Sequence, residues 1–176
     1  MIMRPGQQLL LQANPFFIWA TLFAALFANM FFNMLLWGRS AWVPDILSVV
    51  LVFWTVNQTL RVGVTAAFVF GLFMDVYQGG LLGQHAMAYT VLSFLAIMIH
   101  RRLLWFSLSS QALQVLPLFV VVHVVEIVLT LLLGGSWPSW VVVFAPLFEA
   151  MLWPVLSVVL LALKKSVSTK HPCCKT

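Results

Sequence analysis

Six stretches of this chain are apolar over roughly the length of helix that crosses a bilayer, and no other feature constrains the fold as strongly. A hydrocarbon core of about 30 Å takes roughly 20 apolar residues at helical rise. The stretches cover residues 15–37, 44–60, 62–79, 81–99, 111–133 and 140–163, the second and third being short for a span. They lack strand-like alternation, which favours helices over a barrel. The first is too long for the core of a signal peptide and is followed by no convincing small-x-small cleavage site, so it reads as a retained span. Composition closes the soluble alternatives. Of 176 residues, 63% are hydrophobic and 7% charged, and the mean hydropathy is +1.06. Soluble domains carry about 25% charged residues. There is too little polar surface here to coat a water-soluble enzyme or a DNA-binding domain.

The connections are tight. Gly38-Arg39-Ser40 separates stretches one and two, Gln78-Gly79-Gly80 lies between three and four, and the turn formers of 134–139 separate five and six. Residues 101–110 form the longest internal connection, and no linker leads to a second domain. The expectation is a single all-α transmembrane domain over 1–176, a bundle of six membrane-spanning helices. Orientation follows from the basic residues. With the N-terminus in the cytoplasm, Arg4, Arg61, Arg101, Arg102, Lys164, Lys165, Lys170 and Lys175 all fall inside, and only Arg39 falls outside. Eight against one is a strong positive-inside bias, so both termini are expected in the cytoplasm. Trp37, Trp42, Trp137 and Trp140 collect near the outer boundary and Trp105 near the inner one. The net charge of +5 speaks to this orientation, not to nucleic acid.

All four acidic residues lie within or at the ends of these stretches. A carboxylate in a bilayer costs a few kcal/mol and ordinarily faces protein or water. In the six-span reading Asp45, Asp75, Glu126 and Glu149 all fall in the outer half. Asp45 follows Pro44 at a helix start, where a carboxylate suits the helix dipole. Asp75, Glu126, Glu149 and His123, one turn from Glu126, are candidates for a buried polar cluster, a solute path or sites for a partner helix. A second signal is a stripe of small residues. Gly63, Ala67, Gly71, Asp75 and Gly79 recur every four residues and share one helical face, which lets a neighbouring helix approach closely. Ala86, Tyr89, Thr90, Ser93, Ala96 and His100 form a weaker face on the next stretch. These two faces meet each other, or one of them meets another protein. Trp153-Pro154 and Pro117 are expected to kink their helices.

No Walker loop, dinucleotide fingerprint, nucleophile elbow or HExxH motif is present. His123 and Glu126 are the nearest approach to an acid-base couple, without an identifiable nucleophile or metal. The adjacent Cys173 and Cys174 make no disulfide framework, and with His171 they offer no fixed metal scaffold. No cofactor, metal or catalytic residue is expected.

Several segments, in order, resemble the MreD family of rod shape-determining membrane proteins. They are Arg61-Val62-Gly63-Val64 leading to Gly71-Leu72-Phe73-Met74-Asp75-Val76, then Gly79-Gly80-Leu81-Leu82-Gly83, with Val43-Pro44-Asp45 ahead of the second span and Leu152-Trp153-Pro154 before Lys164-Lys165. They look like the family's basic loop, its G-x-x-x-D helix, its glycine-rich turn, the start of its second span and its ending. His123-Val124-Val125-Glu126 departs from the pattern, which has an acidic residue nearer position 123. The resemblance implies a non-enzymatic inner-membrane component of the bacterial elongation machinery. It implies association with MreC and, through it, with MreB, RodA and the partner transpeptidase, in support of lateral peptidoglycan synthesis and rod shape. Gly63, Ala67, Gly71, Asp75, Gly79 and Gly83 are then the candidates for partner binding or helix packing. The family's bundle is also similar to the substrate-binding subunits of vitamin transporters. That keeps an alternative open: a small-solute binder or transporter using the buried acids. A minor third reading is an intramembrane enzyme acting on lipid through His123 and Glu126.

Overall fold

A computed structural model describes residues 14–35, 44–59, 61–79, 82–106, 108–134 and 140–169. Arg4, Trp37, Arg39, Trp42, Trp137, Lys170, Lys175 and the His171, Cys173 and Cys174 tail lie outside the described residues. The helices are α1 (Pro15–Leu35), α2 (Ile46–Asn57), α3 (Val64–Gln78), α4 (Gln84–Leu103), α5 (Leu108–Leu132) and α6 (Ala145–Thr169), the last preceded by a short 3-10 helix, Trp140–Phe144. Four helical segments, Pro15–Leu35, Gln84–Leu103, Ser110–Leu132 and Val142–Lys164, are long and apolar enough to cross a membrane. This is an α-helical, multi-pass membrane protein. The helices α2 and α3 are also apolar but shorter, at 12 and 15 residues.

The shortest helix lies at the centre. Every residue of α2 from Leu47 to Val56 is buried, because α1, α4 and α6 pack around it. A helix that is apolar all round can be buried on all sides, whereas a soluble amphipathic helix keeps one face polar. The second central element, α4, packs against α2, α3 and α5. Side-chain hydrogen bonds tie the layers together. Trp54 Nε1 donates to Thr21 Oγ1 at 2.8 Å, Tyr77 OH to the Met30 carbonyl at 3.0 Å, and Gln84 Nε2 to Thr130 Oγ1 at 3.0 Å. Such bonds between helices contribute about 0.6 kcal/mol each in a membrane protein. The outer surface is apolar: Phe16, Phe27, Phe31 and Met34 on α1, Met98 on α4 and Met151 on α6 all point outward. That surface suits acyl chains.

Several boundaries differ from the sequence-based expectation. The fourth helix does not stop at residue 99 but runs to Leu103, carrying His100, Arg101 and Arg102 in its last turn. Cations are favoured at a helix C-terminus by the dipole. The connection expected over 101–110 thus shrinks to residues 104–107, and α5 starts at Leu108. Gln111 holds this turn by donating through Nε2 to the carbonyls of Leu103 at 2.9 Å and Phe106 at 3.1 Å. The sixth helix starts at Ala145, not at Trp140. Pro146 explains the break, since proline disfavours α geometry in the residue before it but fits the first turn of a helix. At its other end α6 passes Lys164 and ends at Thr169. Helices α5 and α6 both continue through their prolines, Pro117 and Pro154.

Candidate functional site

The small-residue stripe and the acidic residue within it build one device. At Gly71 the backbones of α3 and α4 touch. A Cβ there would lie 2.4 Å from the Ala86 Cα and 2.7 Å from the His85 carbonyl oxygen. One turn further along α3, the carboxylate of Asp75 closes over the first turn of α4. Its Oδ2 accepts from the backbone N–H of Gly83 at 2.8 Å and of Ala86 at 3.2 Å. Its Oδ1 accepts from the His85 backbone at 2.8 Å and approaches His85 Nδ1 at 2.9 Å. The first N–H groups of a helix have no partner within it, and they carry the positive end of its dipole. Asp75 therefore serves α4 as a capping carboxylate supplied by the preceding helix. Gly79 and Gly83 make the reversal possible. Both have positive φ, 58° and 100°, a region costly for residues with a Cβ. Gly71 and Asp75 thus face α4 inside the same chain. Ala67 is also buried, while Gly63 is only half-buried and its backbone starts α3.

Asp45 is a second hub. Its Oδ1 accepts from the backbone N–H of Leu47 at 3.1 Å and Ser48 at 3.3 Å, so it caps α2. The same carboxylate accepts from Asn29 Nδ2 of α1 at 2.8 Å and from the Tyr89 hydroxyl of α4. Its backbone N–H donates to Glu149 Oε1 of α6 at 3.2 Å. One residue thereby joins α1, α2, α4 and α6. The Tyr89 ring stands edge-on to His85, 6.0 Å between centroids, so the two hubs adjoin.

Glu149 is buried, and its Oε1 also lies 3.7 Å from His123 Nε2, an ion-pair distance and not a hydrogen bond. His123 turns to α6 in this way instead of pairing with Glu126, and its Nδ1 bonds the Phe119 carbonyl at 3.0 Å. The Glu126 carboxylate makes no hydrogen bond among the described residues; only its backbone carbonyl accepts, from Thr130 Oγ1 at 2.8 Å. Glu149 Oε2, Trp153 Nε1 and Ser157 Oγ are buried without a partner among the described residues. At spacings of four they line one face of α6. Among the described residues no three His, Cys, Asp or Glu side chains are grouped to hold a metal ion.

The arrangement is a set of carboxylates whose acceptor positions are filled by helix ends and by side chains of neighbouring helices. Among known families, the model of the rod shape-determining protein MreD matches residues 11–163, most of the chain. This chain belongs to the MreD family. No curated protein and no solved structure matches it. Membership makes it a rod shape-determining membrane protein, and places it with the rod-shape complex.

In this MreD chain the Gly71-Asp75 pair and the Gly79–Gly83 turn act together in a single helical hairpin. Two participants escape sequence reasoning. Asn29 is 2% exposed and bonds Asp45, yet lies in a long apolar stretch. An amide inside a span was the available signal. His85, beside Asp75, lies just after the glycine-rich turn and had no partner identifiable from spacing.

Proposed function

We propose that this MreD-family chain is a non-catalytic scaffold of the bacterial elongation machinery, a single domain that crosses the inner membrane six times with both termini in the cytoplasm. Its task is to bind MreC, and through it to link with MreB, RodA and the partner transpeptidase. The observation that carries the reading is the use of the acidic groups. Asp45 and Asp75 accept from helix N-termini and neighbouring side chains, so they act as joints between helices, not as free bases. Six crossings are supported by the up-and-down order of the helices. Asn29 near the end of α1 meets Asp45 at the start of α2, and Asp75 near the end of α3 meets the start of α4. The shortness of α2 is compatible with crossing because protein, not lipid, surrounds it.

Since the Gly71 face is occupied by α4, a partner helix has the outward faces available. Val76 on α3 and Val124 on α5 point outward, whereas Ala67 is fully buried. Single cysteines or photo-crosslinkers at Val76 and Val124 are expected to capture an MreC-like protein in cells, with Ala67 as a silent control. Failure of every outward position, together with rod shape maintained in cells lacking the protein, refutes the scaffold reading. A second reading, a small-solute binder or transporter, is favoured by the buried, unpartnered Glu149 Oε2. It requires a specific ligand, or uptake into liposomes that is abolished by Glu126→Gln or Glu149→Gln. The intramembrane enzyme has no such support: the ion-pair contact of His123 is with Glu149, at 3.7 Å.

A further inference from the structure

At the end of α4 opposite the polar hubs, the C-terminal turn of α4 and the first turns of α5 enclose a groove of about 910 Å³, open along one side. That volume is near the top of the usual range for small-molecule pockets, roughly 300–1,000 Å³. Its lining is chemically mixed. Arg101 and Arg102 in the last turn of α4, with Trp105 just after it, supply the charged and aromatic part, and Leu113, Pro117 and Leu118 of α5 supply an apolar wall. Both arginines are exposed, and among the described residues neither guanidinium forms a hydrogen bond or an ion pair. Trp105 is 90% exposed and Leu113 75%. Pro117 lacks the N–H that would bond the Leu113 carbonyl, which loosens α5 along the groove wall. The groove is built, because Gln111 clamps the turn that carries the arginines against α5.

We propose that this groove binds one anionic phospholipid, with its phosphate on Arg101 and Arg102 and an acyl chain along Leu113, Pro117 and Leu118. The mixed lining selects this occupant. A free phosphate would leave the apolar wall bare, and an apolar partner helix would leave two guanidinium groups unpaired. Guanidinium groups bind phosphate oxygens through paired donors, and tryptophan sits at the level of lipid headgroups. Arg101 lies about 25 Å along α4 from its first turn, where Asp75 binds, so the site is separate from that hub.

The test uses the full-length protein, purified in detergent and stripped of lipid, with phosphatidylglycerol and phosphatidylcholine as probes in native mass spectrometry. Each arginine near an anionic headgroup is worth about five-fold in affinity, or roughly thirty-fold for both. Phosphatidylglycerol is expected to bind in one copy and more tightly than phosphatidylcholine. Arg101→Gln with Arg102→Gln is expected to lower that affinity roughly thirty-fold, while Arg61→Gln leaves it unchanged. Leu113→Trp fills the groove with the arginines intact and is expected to remove the bound lipid, which keeps the test decisive if the double variant fails to fold. Equal binding of the two lipids overturns the proposal. So does an equal loss in Arg61→Gln, which would mean general attraction to basic protein. Displacement by millimolar inorganic phosphate, or capture of a protein instead of lipid by a photo-crosslinker at Leu113 in cells, also overturns it.

Discussion

Gly71→Ala is the most informative single substitution, because helix propensity and packing predict opposite signs. Alanine is the better helix former by about 1 kcal/mol, so an unobstructed site would be stabilised. Here the new Cβ would lie 2.4 Å from the Ala86 Cα. Carbon atoms in contact sit about 3.5–4.0 Å apart, so α3 and α4 must separate by more than about 1 Å. Overpacking of this kind costs about 1–3 kcal/mol. The separation also stretches the 2.8 Å bonds from Gly83 and His85 to Asp75, one turn away, and a lost cap costs about 1 kcal/mol. The net expectation is a destabilisation of about 1–3 kcal/mol, or a fall in Tm of roughly 3–10 °C for a chain of this size. The assay is thermal unfolding of the purified protein in detergent, followed by tryptophan fluorescence, since Trp54 and Trp153 are fully buried. Gly63→Ala is the control: its Cβ would meet nothing nearer than the Thr59 carbonyl at 4.0 Å, and the loss should stay under about 1 kcal/mol. A Gly71→Ala protein that melts at or above the wild-type temperature would refute the account of the α3–α4 contact.

Asp75→Leu removes the acceptor for three N–H groups at the start of α4, those of Gly83, His85 and Ala86, whereas Asp75→Asn keeps one oxygen, so amide exchange in residues 83–86 should rise most in the leucine variant. A double-mutant cycle between Asn29→Ala and Asp45→Ala should give a coupling of about 0.6–1.7 kcal/mol; a value of zero would mean that their 2.8 Å bond does not hold α1 to α2. Glu149→Gln keeps an oxygen for the Asp45 N–H and should leave Tm nearly unchanged, while Glu149→Leu strands that N–H and should lower Tm by several degrees. Gln111→Leu removes the side-chain donor shared by the carbonyls of Leu103 and Phe106, leaving Leu103 with the Phe106 N–H at 3.2 Å, and limited proteolysis within residues 104–106 should accelerate.

Apolar run length, the spacing of glycines and the positions of charges depend on neighbours in the chain, so they were legible in the sequence. They marked six helices to within a few residues at most boundaries, the small-residue face of α3 and the four acidic residues as the unusual groups. Asp45 as a helix cap was legible for the same reason, since its partners Leu47 and Ser48 are two and three residues away. The rest belongs to contacts across long sequence separations. Spacing alone paired His123 with Glu126, one turn away on the same helix; the folded chain pairs it with Glu149. Nothing local announces that Asn29, Tyr89 and the Asp45–Glu149 pair meet, because 16, 44 and 104 residues separate the bonded groups. Whether the stripe on α3 served another protein or the next helix was equally open, as any close neighbour needs small residues. At Gly71 tertiary packing puts α4 against the stripe, by placing Ala86 where no side chain at position 71 could stand. The sequence determined that the chain must live in lipid and which groups needed partners there, since burial of a carboxylate is costly wherever it occurs. Only the fold determined which partners they found, since that depends on which helix ends the bundle brings together.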